Sequence, residues 1–219
     1  MTMTLIRAAE PNDPNCSSHV RKAMPGDPLE QPTSTRPLSQ LSFADGAFAG
    51  GLGARLSERA RTGIDRTPGF VVGTPAYAAL CDAGDLSRRL AAALADVCIE
   101  EPERLMAAAA VARSLIACEP TPSWIDAEIH QAYHALTPSA AEGARVTVSA
   151  SFVEHELSDL EPGNDDVACD VQGTGAVIQA VRHCWSALYD PRRVYERAKL
   201  GLPQLGLDVA VVVQLQAER

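Results

Sequence analysis

The sequence predicts an α/β domain rich in helix, on three observations. Apolar residues recur at helical spacing over four separate stretches. Two β-branched runs, Val146–Ser151 and Leu207–Leu215, read as strands. A glycine turn, Gly50-Gly51-Leu52-Gly53, opens the first helical pattern. A helix that buries one stripe and a strand that buries both faces need each other to complete a core.

The elements follow in chain order. Residues 1–36 carry prolines 11, 14, 25, 28 and 32 among Ser, Thr and Asn, with no period, and read as a flexible tail. The ordered domain is expected from Pro37 to Arg219. Gly53 to Arg61 is a short helix after the glycine turn, and Phe70-Val71-Val72 a short strand. Thr74-Pro75 starts a helix through Leu80, with proline at a favourable first-turn position. Asp85 to Val97 sets Leu86, Leu90, Leu94 and Val97 on one face. Pro102 to Cys118 does the same with Leu105, Met106, Ala109, Ala112, Leu115 and Ile116. Ser123 is the N-cap expected for Trp124 to Leu136, with Ile125, Ile129, Ala132, Tyr133 and Leu136 inward. Val146 to Ser151 alternates apolar and small polar residues, so one face is buried and the other presents hydroxyls. Thr174 to Leu188 places Val177, Ile178, Val181, Cys184, Trp185 and Leu188 inward. Val209-Ala210-Val211-Val212-Val213 is the continuous apolar run of a central strand. No internal repeat is visible.

Composition narrows the function classes. The 219 residues are 46% hydrophobic and 21% charged, enough for a sizeable core. A net charge of −9 argues against nucleic acid or an anionic membrane as the main partner, since both reward basic patches. Only two lysines occur, Lys22 and Lys199, and neither sits in the glycine turn. No apolar run is long enough to cross a membrane and no signal pattern opens the chain, so a cytoplasmic location is expected. The six cysteines form no C-x-x-C pair and are expected as reduced, mostly buried thiols.

Several short motifs invite a sharper reading. Glycines ahead of a helix let a phosphate approach the backbone closely. A cation usually completes such a site, and here the turn holds Leu52. His130 and His134 have the i, i+4 spacing of metal ligands near Asp126 and Glu128, but no third ligand follows in a motif. They read as a solvated helix face. Glu154-His155-Glu156 reads as an exposed loop rather than an acid–base cluster, and Asp165-Asp166 as an acidic turn rather than a magnesium site.

Taken in order, these pieces resemble the N-terminal part of the ATP-binding domain of phosphoenolpyruvate synthase, pyruvate phosphate dikinase and rifampicin phosphotransferase. Gly50-Gly51-Leu52-Gly53-Ala54-Arg55-Leu56 is similar to that family's Gly-Gly-Lys-Gly-Ala-x-Leu. Thr67-Pro68-Gly69-Phe70-Val71-Val72 followed by Ala76-Tyr77 is similar to its proline-rich turn, strand and Ala-Tyr helix. Val181-Arg182-His183-Cys184-Trp185-Ser186 resembles its Val-Arg-x-Cys-Trp-Ala helix. Arg193, Tyr195 and Arg197 fall in a segment similar to its Arg-Ala-x-x-Tyr-Arg, and Asp208 to Gln214 resembles its Ala-Val-Val-Val-Gln strand. The likeness covers roughly Pro37 to Gln214.

This resemblance implies the N-lobe of an ATP-grasp-type domain, with ATP and magnesium as the cofactors it would bring. It implies an ATP site at Gly51, Gly53, Ser149, Ser151, Glu156, Gly163 and Asn164. The departures fall on the phosphate chemistry. Leu52 stands where the family has lysine, and Ser149 where it has arginine. Asn164 stands for a glutamine beside the acidic Asp165-Asp166. Each charge-assisted phosphate contact contributes about 1.5–3 kcal/mol, so losing two costs about 3–6 kcal/mol, or roughly two to four decades of affinity. The second grasp lobe, which in the family carries the metal-binding carboxylates, has no counterpart after Gln214.

Three readings follow from the resemblance. The chain is a degenerate, non-catalytic or weakly nucleotide-binding member of the family. Alternatively it is one subunit of a split ATP-dependent phosphotransferase, a kinase completed by a second polypeptide; self-association or pairing through the strand Leu207–Leu215 would serve such an assembly. The third reading is a truncated remnant.

Overall fold

The computed structural model describes residues 33–95, 97–136, 144–153 and 167–216. In chain order these form β1 (Thr35–Pro37), α1 (Gly46–Arg61), β2 (Gly69–Val72), α2 (Thr74–Asp82), α3 (Leu86–Leu94), α4 (Pro102–Cys118) and α5 (Ser123–Leu136). There follow β3 (Arg145–Phe152), β4 (Val167–Gln172), α6 (Thr174–Ser186), α7 (Pro191–Lys199) and β5 (Val209–Leu215). Thr35 and Arg36, expected in the tail, pair with Val72 and Val71 in a short edge strand.

The five strands make one antiparallel sheet in the order β1-β2-β5-β3-β4. β5 lies at its centre. Val211 to Gln214 pair with β2 on one side, and Val209 to Leu215 pair with β3 on the other. The strand expected to recruit a partner therefore has both edges hydrogen-bonded within the chain, which corrects the pairing expected through Leu207–Leu215. The sheet's outer strands among the described residues are β1 and β4. The continuous apolar run of β5 comes from burial on both faces of an antiparallel sheet, not from a parallel one.

Helices cover those two faces unequally. Phe70, Val72, Val146, Val148, Ala150, Val209, Val211 and Val213 point into the larger core with side chains of α2 to α7, including Tyr77, Ile116, Ile129 and the fully buried Trp185. On the other face Val71, Ala210 and Val212 meet Leu38, Leu41 and Ala49, with Leu52 and Leu56 of α1 packed against them. The period-2 and period-3.6 patterns give the same partition, because alternate strand residues face opposite layers.

The inward stripes hold with one exception. Met106 is 59% exposed. It lies one position off the buried stripe Leu105, Ala109, Ala112 and Ile116, and one residue turns about 100° around a helix. The cysteines also differ from expectation. The described ones are free, but Cys184 alone among them is buried; Cys81 and Cys98 are half-buried, and Cys118 and Cys169 are exposed. Cys118 closes α4 and Cys169 sits on the edge strand β4, where no layer covers them. Burial pushes the Cys81 thiol up, which lowers its thiolate fraction. No helix among the described residues is long and apolar enough to cross a membrane.

Candidate functional site

The glycine turn lies inside α1, which breaks at Gly50 (φ 67°, ψ 176°) and resumes through Arg61. That backbone region belongs almost wholly to glycine. A Cβ at Gly50 would also lie 2.2 Å from the carbonyl oxygen of Ser151 and 2.4 Å from its hydroxyl. Gly53 is buried, and a Cβ there would lie 3.0 Å from that of Ala49. The glycines therefore let α1 sit directly on β3.

Ser151 fastens this contact. It is fully buried, donates its hydroxyl to the Ala49 carbonyl at 2.6 Å, and accepts the Gly53 N–H at 2.9 Å. One side chain thus satisfies a carbonyl before the break and an N–H after it. Two of the expected nucleotide-binding groups, the Gly53 N–H and the Ser151 hydroxyl, are spent on each other. Ser149, two residues earlier on the same face of β3, is half-buried. Gly51 is exposed. Glu156, Gly163 and Asn164 lie outside the described residues, as do Glu154-His155-Glu156 and Asp165-Asp166.

Leu52, where the resemblance calls for lysine, packs partly against the apolar cluster of Leu38, Val71 and Val212. The sequence reading overlooked a second cation. Arg55 follows Gly51 by one helical turn, and its Nη1 lies 3.6 Å from where a Gly51 Cβ would stand. The carbonyl oxygen of Phe152 lies 3.6 Å from the same point. The i, i+4 spacing from Gly51 was the signal for this. At the end of β3, Arg193 of α7 lays its guanidinium 3.5 Å from the Phe152 ring centroid and is itself buried. Arg197 donates to the Leu188 carbonyl at 2.6 Å and to Gln204 Oε1 at 3.0 Å, so it holds the core. Tyr195 is 40% exposed.

The histidines expected on a solvated face are there. His130 and His134 are both exposed, with ring centroids 4.4 Å apart. Glu128 is instead a structural acceptor, taking the Ser34 N–H, the Ser34 hydroxyl and the Thr35 N–H at 2.7, 2.6 and 3.1 Å. Among the described residues no three His, Cys, Asp or Glu side chains cluster as a metal site.

A five-stranded antiparallel sheet carrying a glycine-broken helix on one face and a helical layer on the other defines the class: an α/β nucleotide-binding domain. Residues 47–218 match the model of the pyruvate phosphate dikinase AMP/ATP-binding domain, and the chain belongs to that family. It is 29% identical to a probable phosphoenolpyruvate synthase of Archaeoglobus fulgidus, over 81% of this chain and 24% of the relative. It is 28% identical to the phosphoenolpyruvate synthase of Pyrococcus furiosus, over 81% of this chain and 26% of the relative. Identity to the phosphoenolpyruvate synthase of Neisseria meningitidis is 29%, over 68% of this chain and 19% of the relative. The chain thus spans between about a fifth and a quarter of the length of these curated relatives.

Proposed function

We propose that this chain is a phosphoenolpyruvate synthase-like ATP-binding lobe with weakened hold on the phosphates, non-catalytic as it stands. The observation that carries this is the internal use of the expected ligand groups: Ser151 and the Gly53 N–H bond each other, and Leu52 packs on the sheet. Phosphoryl transfer depends on positioned cations and metal rather than on a glycine turn alone. Titration of the full chain with millimolar magnesium-ATP is expected to give no measurable heat and no thermal shift. Micromolar binding would overturn the reading.

Arg55 favours a second reading, in which the charge lost at Leu52 returns from one turn further along α1. Arginine reaches farther than lysine and grips phosphate with two N–H groups. In that reading magnesium-ATP binds, and Arg55→Ala weakens it about tenfold or more. In that reading the chain is one subunit of an ATP-dependent phosphotransferase that a partner chain completes. Such a partner would meet the outer edge of β4 rather than β5, both of whose edges are taken. Co-purification and an ATP/phosphate exchange assay with the neighbouring reading frame test it; no exchange and no partner would remove it.

A further inference from the structure

At the far end of α1 from the glycine turn, a cleft of about 530 Å³ opens where β1 ends, between α1 and α5. Gly51 and Ala60 are separated along the helix by about 14 Å, at 1.5 Å per residue. The cleft and the turn are therefore separate places. Its volume falls within the roughly 300–1,000 Å³ of small-molecule sites. Leu38, Pro68, Phe70 and Leu136 give it an apolar lining, and Arg36 and Arg66 supply its charge. Among the described residues no carboxylate lines it.

Both arginines are exposed, in a chain of net charge −9. The guanidinium of Arg36 lies 4.5 Å from the Phe48 ring centroid. Stacking of that kind uses the flat face and leaves the N–H edge for an anion. Among the described residues the nearby carboxylates hold other groups: Asp45, whose charge also acts with Arg36, accepts the Ser42 N–H and hydroxyl at 2.8 Å each. Asp65 Oδ1 accepts the Thr67 N–H at 3.0 Å, and Glu128 holds Ser34 and Thr35. Among the described residues no carboxylate pairs with Arg66. Two arginines beside apolar walls, with the described acids around them bonded to other groups, complement a ligand of opposite charge and similar make-up.

We propose that this cleft binds a small organic anion, a carboxylate head on an apolar body, with the head on Arg36 and Arg66 and the body against the accessible Pro68, Ala135 and Leu136. The probe is octanoate, titrated into the ¹⁵N-labelled full chain. Saturable amide shifts are expected at Gly69, Phe70, Ala132 and Ala135, and not at Gly51 or Gly53. Arg36→Ala and Arg66→Ala are each expected to weaken octanoate about tenfold or more, with partial recovery in Arg66→Lys. Both positions are exposed, so the variants fold, and amide spectra confirm it. Octanol, the neutral analogue, is expected to bind at least tenfold more weakly. Equal binding of octanol, unchanged affinity in both alanine variants, or shifts outside the cleft would overturn the proposal. Magnesium-ATP in a parallel titration reports on the glycine turn alone, so its result leaves this one unaffected.

Discussion

The two faces of the sheet are held by different means. Behind one, α2 to α7 bury Trp185, Tyr77, Tyr133 and a row of alternate valines, and adhesion comes from apolar area. Behind the other, α1 brings Phe48, Ala49, Leu52 and Leu56 onto Val71, Ala210 and Val212. That thin face compensates with close approach at Gly50 and Gly53 and with the two hydrogen bonds of Ser151. A face held by area tolerates local change through repacking, whereas one held by a few contacts changes abruptly when any of them is altered. The glycine turn belongs to the thin face, so substitutions there alter stability together with any binding at the turn.

The comparison breaks most visibly at Gly50. Gly50→Ala combines a disallowed backbone with a backbone clash, and is expected to cost about 3–5 kcal/mol in urea unfolding, as much as truncating Trp185 in the thick core. A loss under 1 kcal/mol would show that α1 is not seated by this glycine. Ser151→Ala leaves the Gly53 N–H and the Ala49 carbonyl without partners, and a loss of about 2–3 kcal/mol is expected. Ser149→Ala, on the same face but half-buried, serves as the control and should change stability by less than about 0.5 kcal/mol.

Leu52→Lys sharpens the contrast in function. It is expected to strengthen magnesium-ATP binding by about tenfold or more, enough to bring a heat signal into view in a millimolar titration where the unchanged chain gives none, for a small loss of packing. Unchanged affinity would mean that the turn no longer faces a nucleotide. The smallest effect belongs to Asp126 behind the thick face. Burial raises its carboxyl above the usual range, opposed by Arg182, and its Oδ1 has no partner. A raised carboxyl favours the protonated folded state. Asp126 therefore destabilises above its folded pKa, and the penalty vanishes as pH falls below the unfolded value near 3.8. Asp126→Asn is expected to raise the melting temperature slightly at pH 7 and not at pH 3; a gain of equal size at both would refute the charge argument.

Much of the layer behind the thick face was legible from periodicity. The stripes of α3, α4, α5 and α6 follow apolar spacing, and α4 runs from Pro102 to Cys118 as the sequence suggests. Other elements escaped for identifiable reasons. α7 reads as polar because its buried face is Arg193, Val194 and Arg197, and two of those carry charge. β4 escaped because an edge strand is covered on neither side strongly enough to impose alternation. β1 is three residues long and ends in proline, too short for any period to show.

By itself the sequence determined the α/β class, the family, the positions of the main helices and the leucine that stands at position 52 of the glycine turn, because these rest on residue type and local spacing. Only the tertiary structure decided that β5 is closed on both edges and that Ser151 and Gly53 bind each other. The same holds for the return of Arg55 to the turn and for the cleft formed by Arg36, Arg66 and α5. Each of these depends on groups far apart in sequence, such as Gly53 and Ser151, meeting across a sheet whose register no local pattern encodes.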